Sequence, residues 1–258
     1  MVLNKKEQIV KLLKGIETGD PSSVAVVNEN KYIQHNPQTH EGSEGLAVLF
    51  KRLSKTNPRV NIVRAFEDND FVFAHTEYDF TNRNIGFEIF RFEDGQAVEH
   101  WDNIQERKGP NSANYSMVDG ATNVTDIGDT EINRNVIQSF VEDVLISAKL
   151  ELSSHYINQE VYIEHDPESM NSVEWLARLS SETSAQTSKH SDLHSYEKCH
   201  RILAEGNFVL SVCEGTVNKV LTSFFDLYRL EEGRIVEHWD TVEAIPAQKD
   251  WKNDNGKF

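Results

Sequence analysis

Cysteine is nearly absent from this chain: Cys199 and Cys213 are the only two in 258 residues. Read with a two-residue turn at Glu205-Gly206, the hairpin between them sets Cys199 opposite Val212 and turns Cys213 to the other face. No disulfide is expected, which fits a reducing compartment. Basic residues are scarce as well. Lys and Arg number 26 against 42 Asp and Glu, for a formal net charge of −16. Nucleic acid and anionic membranes, which need a basic footprint, are poor partners for such a chain. No run approaches the roughly 20 apolar residues of a membrane span. Residues 1–20 mix charge and apolar groups at helical spacing, without the apolar block of a signal peptide, so a soluble, cytoplasmic protein is expected. A phosphate loop, a dinucleotide fingerprint and a Ser–His–Asp order are all missing. His190, His194 and His200 cluster in a Ser-rich stretch that lacks helical periodicity and any cysteine pair, so neither metal nor cofactor is expected.

What the chain does have is a repeat. Glu88–Asp102 reads EIFRFEDGQAVEHWD and Asp226–Asp240 reads DLYRLEEGRIVEHWD, with eight of fifteen positions identical. Tyr32-Ile33-Gln34-His35-Asn36-Pro37 is echoed by Tyr162-Ile163-Glu164-His165-Asp166-Pro167. Two copies of one domain are expected, with residues 1–106 as lobe A, 107–130 as a linker and 131–258 as lobe B. The linker holds Gly, Asn, Ser and Pro and no sustained period.

In lobe A, Ile9, Leu12, Leu13 and Ile16 form one helical stripe, and Asp20-Pro21 opens a second short helix. Leu46, Leu49, Phe50 and Leu53 mark a third, capped by Ser43. From about Val60 the period switches to two. Strands are expected near Asn61–Phe66, Phe71–Glu77, Ile85–Phe92 and Ala97–Gln105, with turns at Asp68-Asn69 and Asp94-Gly95. Lobe B repeats the order, its first helix carrying Ile137, Phe140, Val141, Val144 and Leu145. Its strands are expected at Cys199–Ala204, Phe208–Glu214, Leu221–Leu230 and Ile235–Val242. The fold class is therefore α+β, three helices on an antiparallel sheet, twice. After the shared histidine, lobe A has a loop with Gly42 and Gly45, whereas lobe B has a glycine-free stretch ending near Trp175 and then a polar insertion, Ser180–Lys198.

The combination of Tyr-Ile-Gln-His-Asn-Pro, Asp-x-x-Phe-Val, Phe-Arg-Phe-Glu-Asp-Gly and Val-Glu-His-Trp-Asp resembles the SnoaL-like, polyketide-cyclase-related proteins of the nuclear transport factor 2-like superfamily. The resemblance spans about Glu7–Gln105 and, more loosely, lobe B. It implies two tandem cones, each a curved sheet wrapped around helices with a pocket at its open end. It also implies cofactor-independent acid/base chemistry on a small, largely apolar carbonyl compound, of the cyclase, isomerase or dehydratase type. The alternative is a non-catalytic small-ligand-binding or interaction protein, since fold fixes function poorly.

With a regular two-residue Asp94-Gly95 turn, Arg91 opposes Val98, Ile89 opposes His100 and Phe87 opposes Asp102. Phe87, Ile89, Arg91, His100 and Asp102 then share one face, and Glu88, Phe90, Glu99 and Trp101 the other. A one-residue bulge would reverse the facing. A histidine, a carboxylate and an arginine among apolar residues suit proton transfer, yet a His and an Asp two apart on a strand equally suit a purely structural hydrogen bond. The candidate catalytic set is His100, Asp102, His35 and Arg91, with Tyr32, His75, Phe87 and Ile89 contacting ligand. Trp101 and Trp239 are read as packing residues, pairing the two sheets within a monomeric chain. Lobe A is expected to keep the pocket, and lobe B to be a copy filled by Trp175.

Overall fold

The computed structural model describes residues 3–169, 172–179 and 193–258. They form two compact units: residues 1–107 together with 245–258, and residues 108–244.

Unit 1 opens with helix α1 (Lys5–Thr18), started by an Asn4–Glu7 capping box and ended by Gly19 in the left-handed region. Its stripe of Ile9, Leu12, Leu13 and Ile16 is buried. A 3₁₀ turn over Pro21–Val26 is capped by Asp20. Strand β1 (Ile33–Gln34) and helix α2 (Gly42–Leu53) follow. Strands β2 (Arg59–Asp68), β3 (Phe71–Asp79), β4 (Arg83–Glu93) and β5 (Gln96–Glu106) complete the unit. The sheet order is β1-β5-β4-β3-β2, with β1 parallel to β5 and the other pairs antiparallel. The β4–β5 turn is Asp94 (φ 51°) and Gly95 (φ 80°), the double positive-φ turn that matches strand twist.

Unit 2 repeats this plan with helix α3 (Thr130–Phe140), a π-helical turn over Val141–Ile146, helix α4 (Ser153–Tyr156) and strand β6 (Ile163–Glu164). A 3₁₀ segment over Ser172–Arg178 precedes strands β7 (His194–Glu205), β8 (Phe208–Val217), β9 (Val220–Glu231) and β10 (Arg234–Ala244). The order is β6-β10-β9-β8-β7. Helices first, then an antiparallel meander closed by a short parallel strand, make each unit an α+β fold.

Three expectations need correction. The stretch read as a linker packs into unit 2: Asn111 Nδ2 donates to Glu164 O, Trp239 Nε1 to Asp119 O, and Asn207 N to Thr125 O. In turn, residues 245–258 pack into unit 1, where Asn253 Nδ2 reaches Asn36 O and Thr39 O. Segments without periodicity can still be ordered when Asn side chains satisfy the backbone. The β7–β8 turn falls at Gly206-Asn207, and β7 carries bulges beside Lys198 and His200, so Cys199 stands directly opposite Cys213 as two free thiols. Gly42 and Gly45 lie within helix α2 and not in a loop. Gly42 takes φ +70° at the start of α2, and a Cβ on Gly45 would lie 2.1 Å from the His40 carbonyl oxygen.

Candidate functional site

The site in unit 1 is set by a bulge. Phe92 pairs with Ala97, but Arg91 pairs with Glu99, leaving Val98 as the extra residue of β5. Beyond it the register runs Phe90–His100, Ile89–Trp101, Glu88–Asp102 and Phe87–Asn103. His100 and Asp102 therefore share a face with Glu88 and Phe90, and not with Arg91, Ile89 and Phe87. The first face lines a cavity of about 260 Å³. Leu12, Leu13 and Ile16 of α1, Leu46, Leu49, Phe50 and Leu53 of α2, and Phe80, Phe90 and Ile104 of the sheet supply its apolar wall. Tyr32, Gln34, Asn36, Tyr78, Glu88, His100 and Asp102 supply the polar part.

His100 is locked on both sides. Gln34 Oε1 accepts a hydrogen bond from the Asn36 N–H at 2.8 Å, so it is an acceptor and the 3.0 Å contact to His100 Nδ1 makes that nitrogen the donor. His100 Nε2 lies 2.7 Å from Glu88 Oε2. Both ring nitrogens donate, which is the imidazolium form. Burial alone would push the His100 pKa down, but the hydrogen bond and charge of Glu88, with the charge of Asp102, outweigh it and raise the value. The Tyr78 hydroxyl donates to Glu88 Oε1 at 2.7 Å, and Phe90 stacks on the ring at 4.4 Å.

Asp102 is held differently. Its Oδ2 accepts from Asn36 Nδ2 at 2.8 Å, while Oδ1 is buried and has no hydrogen-bond partner among the described residues. Lys257 lies alongside, its Nζ donating to the Asp102 carbonyl oxygen at 2.7 Å and standing 3.9 Å from Oδ1. Tyr32 lines the same cavity, and its hydroxyl makes no hydrogen bond among the described residues. Burial, then the charges of Glu88 and Asp102, push the Tyr32 pKa well above its usual value, so the phenol keeps its proton.

Glu88, His100 and Asp102 bring ligand atoms within 4.8 Å of one another, a donor set that could hold a divalent cation. Both His100 nitrogens are already engaged, so a cation would have to break the bond to Glu88.

The remaining expected site residues lie elsewhere. Arg91 donates from Nε to Glu99 Oε2 at 2.6 Å, on the face away from the cavity. His35 joins the same cluster: Nε2 meets Glu99 Oε1, Nδ1 meets the Gly256 carbonyl, and its ring stacks on Trp101 at 4.7 Å. His75 is fully buried, takes a hydrogen bond from Arg64 Nη1 on Nδ1 and meets Phe87 edge-on at 4.7 Å. Phe87 and Ile89 are buried on that side too. The bulge accounts for Arg91, Phe87 and Ile89, and the β3–β4 register carries His75 with them. Gln34, Asn36, Glu88, Tyr78 and Lys257 were missed. The Gln-x-Asn spacing inside the repeated Tyr-Ile-x-His-x-Pro motif was a signal for the first two, since alternation turns both away from His35.

Unit 2 keeps the same framework and lacks the space. His238 meets Glu164 at 3.0 Å and Asp226 at 3.2 Å, and His165 repeats the His35 cluster with Glu237, the Ser116 carbonyl and Trp239. Trp175 stacks on His238 at 4.6 Å and donates from Nε1 to the Tyr162 hydroxyl at 2.8 Å. It thus occupies the room that stands open beside His100 and Tyr32. Of the three histidines weighed as metal ligands, His190 lies outside the described residues. His194 packs near Phe224, and His200 pairs with Glu214 at 2.8 Å.

No protein-family model and no curated protein matches the chain. Among solved structures it is similar to TsrD from Streptomyces laurentii, at 20% identity and a TM-score of 0.36 over 40% of this chain and 91% of that one. An LEH-like epoxide hydrolase from M. tuberculosis shows 17% identity and a TM-score of 0.34 over 38% and 80%. An NTF2-like protein from Cytophaga hutchinsonii shows 14% and 0.35 over 41% and 93%. Each likeness extends over about the length of one repeat. Among the described residues no helix is long and apolar enough to cross a membrane.

Proposed function

We propose that unit 1 is a cofactor-independent acid/base enzyme of the SnoaL-like kind, acting on a small, mainly apolar carbonyl compound. The observation that carries this reading is Asp102, a buried carboxylate that lines a cavity walled by aliphatic and aromatic side chains and whose Oδ1 has no hydrogen-bond partner among the described residues. Leaving such an atom unsatisfied costs about 1–3 kcal/mol, a cost a structural carboxylate has no reason to carry. Asp102 Oδ1 takes the proton from the carbon next to the substrate carbonyl. The negative charge moves to the carbonyl oxygen, where the Tyr32 hydroxyl donates a hydrogen bond. The proton then returns to another carbon, or the enolate expels a leaving group or closes a ring. His100 stays an imidazolium between Glu88 and Gln34, and its positive charge favours the developing enolate.

Unit 2 keeps its His–carboxylate pair where Trp175 fills the space, which favours a framework role for that pair. Ligand binding without turnover is therefore the second reading. The test is deuterium incorporation next to the carbonyl of small cyclic ketones in D2O, followed by NMR. Exchange that Asp102→Asn abolishes supports the enzyme. Saturable ketone binding without exchange supports the second reading and sinks the first.

A further inference from the structure

Each unit receives a chain segment that follows the other unit's sheet, and the two segments dock on the matched histidines in the same way. His35 Nδ1 meets the Gly256 carbonyl at 3.0 Å, and His165 Nδ1 meets the Ser116 carbonyl at 2.6 Å. The next residue is Lys257 in unit 1 and Met117 in unit 2, both buried. At one equivalent place the molecule thus carries an ammonium in the unit with a cavity and a thioether in the unit without one.

We propose that Lys257 is the positioning residue of the unit 1 site, the counter-ion that keeps the Asp102 carboxylate charged and turned to the cavity; this rests on the acid/base reading above. Its Nζ is anchored on the Asp102 carbonyl oxygen at 2.7 Å and stands 3.9 Å from Oδ1, with only 3% of the side chain exposed. An opposite charge at this range in a dry setting favours the ionised carboxylate. At 3.9 Å from Oδ1 the ammonium makes no hydrogen bond to that oxygen. The other titratable groups around Asp102 are Glu88 from β4, His100 on its own strand, Tyr78 from β3 and Tyr32 from the segment before β1. Glu88 and His100 already form a hydrogen-bonded pair. Lys257 supplies the remaining positive charge. Unit 2 is the natural control, with Met117 buried in place of a lysine. Sequence periodicity could not have found this residue, because it lies beyond the second repeat and acts on the first.

The test uses the full chain with Lys257→Met and Lys257→Arg, read in two ways. One is the ¹³C titration of the Asp102 carboxyl by NMR, and the other is the pH profile of deuterium exchange on a cyclic ketone. The expected result for Lys257→Met is a carboxyl midpoint moved up by about one pH unit or more. Exchange should fall about tenfold on the acid side while nearly wild-type rates persist at high pH. Lys257→Arg should restore both. An unmoved midpoint, or exchange lost equally at every pH with the midpoint unmoved, would overturn the proposal and leave Lys257 as a tail anchor. If Lys257→Met does not fold, Lys257→Gln replaces it under the same criteria. Should wild-type protein exchange no ketone, the enzymatic reading fails, while the titration alone still decides whether Lys257 is the counter-ion of Asp102.

Discussion

The two units share topology, turn geometry and a buried His–carboxylate network, yet beside the histidine unit 1 has a cavity and unit 2 has the Trp175 ring. The difference comes from a few residues. In unit 1, α2 stands off the sheet and leaves room beside Tyr32 and His100. In unit 2 a 3₁₀ segment carries Trp175 onto His238 and ties it to Tyr162. Gln34, a neutral acceptor, is replaced by Glu164, and Asn36 by Asp166, whose carboxylate pairs with Arg178. Unit 2 therefore carries more buried charge around a filled space. Unit 1 carries less, and one oxygen is left unsatisfied. The duplicated network belongs to the framework of both units, whereas the aspartate oxygen without a hydrogen-bond partner, Asp102 Oδ1, belongs to unit 1.

The largest expected effect is on chemistry. Asp102→Asn should lower deuterium exchange by about 10²–10⁴-fold, the usual contribution of a positioned acid or base. The equivalent Asp240→Asn should leave exchange intact and stabilise unit 2 at neutral pH, because Asp240 is held well above its normal pKa there. Exchange lost through Asp240→Asn would reverse the assignment of the units.

Packing comes next. Trp175→Ala should destabilise unit 2 by about 3–5 kcal/mol, the range for deleting a large buried aromatic. Phe50→Ala, on the half-buried cavity wall of unit 1, should cost less than about 2 kcal/mol. Unit-resolved hydrogen exchange measures both, and equal losses would contradict the picture of a cavity beside one histidine and a tryptophan ring beside the other.

A pH series sharpens the comparison further. His100 and His238 bind protons more tightly in the folded chain than the unfolded value near 6.5 allows. Their stabilising effect is therefore complete below about pH 6.5 and is lost as pH rises through the folded pKa of each. Burial works against the charge in both, but the neighbouring carboxylates outweigh it at each: Glu88 at His100, and Glu164 and Asp226 at His238. Denaturation at successive pH values should show both units losing their histidine contribution as pH rises. Stability that rises over this window would be the wrong sign.

The smallest effect is expected at Arg91, whose side chain is 31% exposed and paired with Glu99. Arg91→Ala should cost about 1 kcal/mol or less and leave ketone exchange within about twofold. A large loss of exchange would restore Arg91 to the cavity side.

The fold class, the duplication, the helical stripe of α1, the Asp94-Gly95 turn and the obstruction by Trp175 were legible in the chain because they depend on local periodicity, turn chemistry and side-chain size. Which face of β5 looks inward was settled by one extra residue at Val98, and a slip of one moves every side chain while leaving the alternating pattern unchanged. That slip exchanged Arg91, Phe87 and Ile89 for Glu88 and Phe90 beside His100 and Asp102. The same blindness affected the cysteines, where bulges in β7 set two thiols opposite each other. Sequence by itself determined that a histidine and an aspartate of the repeated motif share a half-buried strand. Only tertiary structure decided that Glu88 and Gln34 grip the histidine, that one oxygen of a cavity-lining aspartate has no hydrogen-bond partner, and that Lys257 stands beside it. Those contacts join residues 12, 66 and 155 positions apart, and no pattern along the chain carries information about the longer distances.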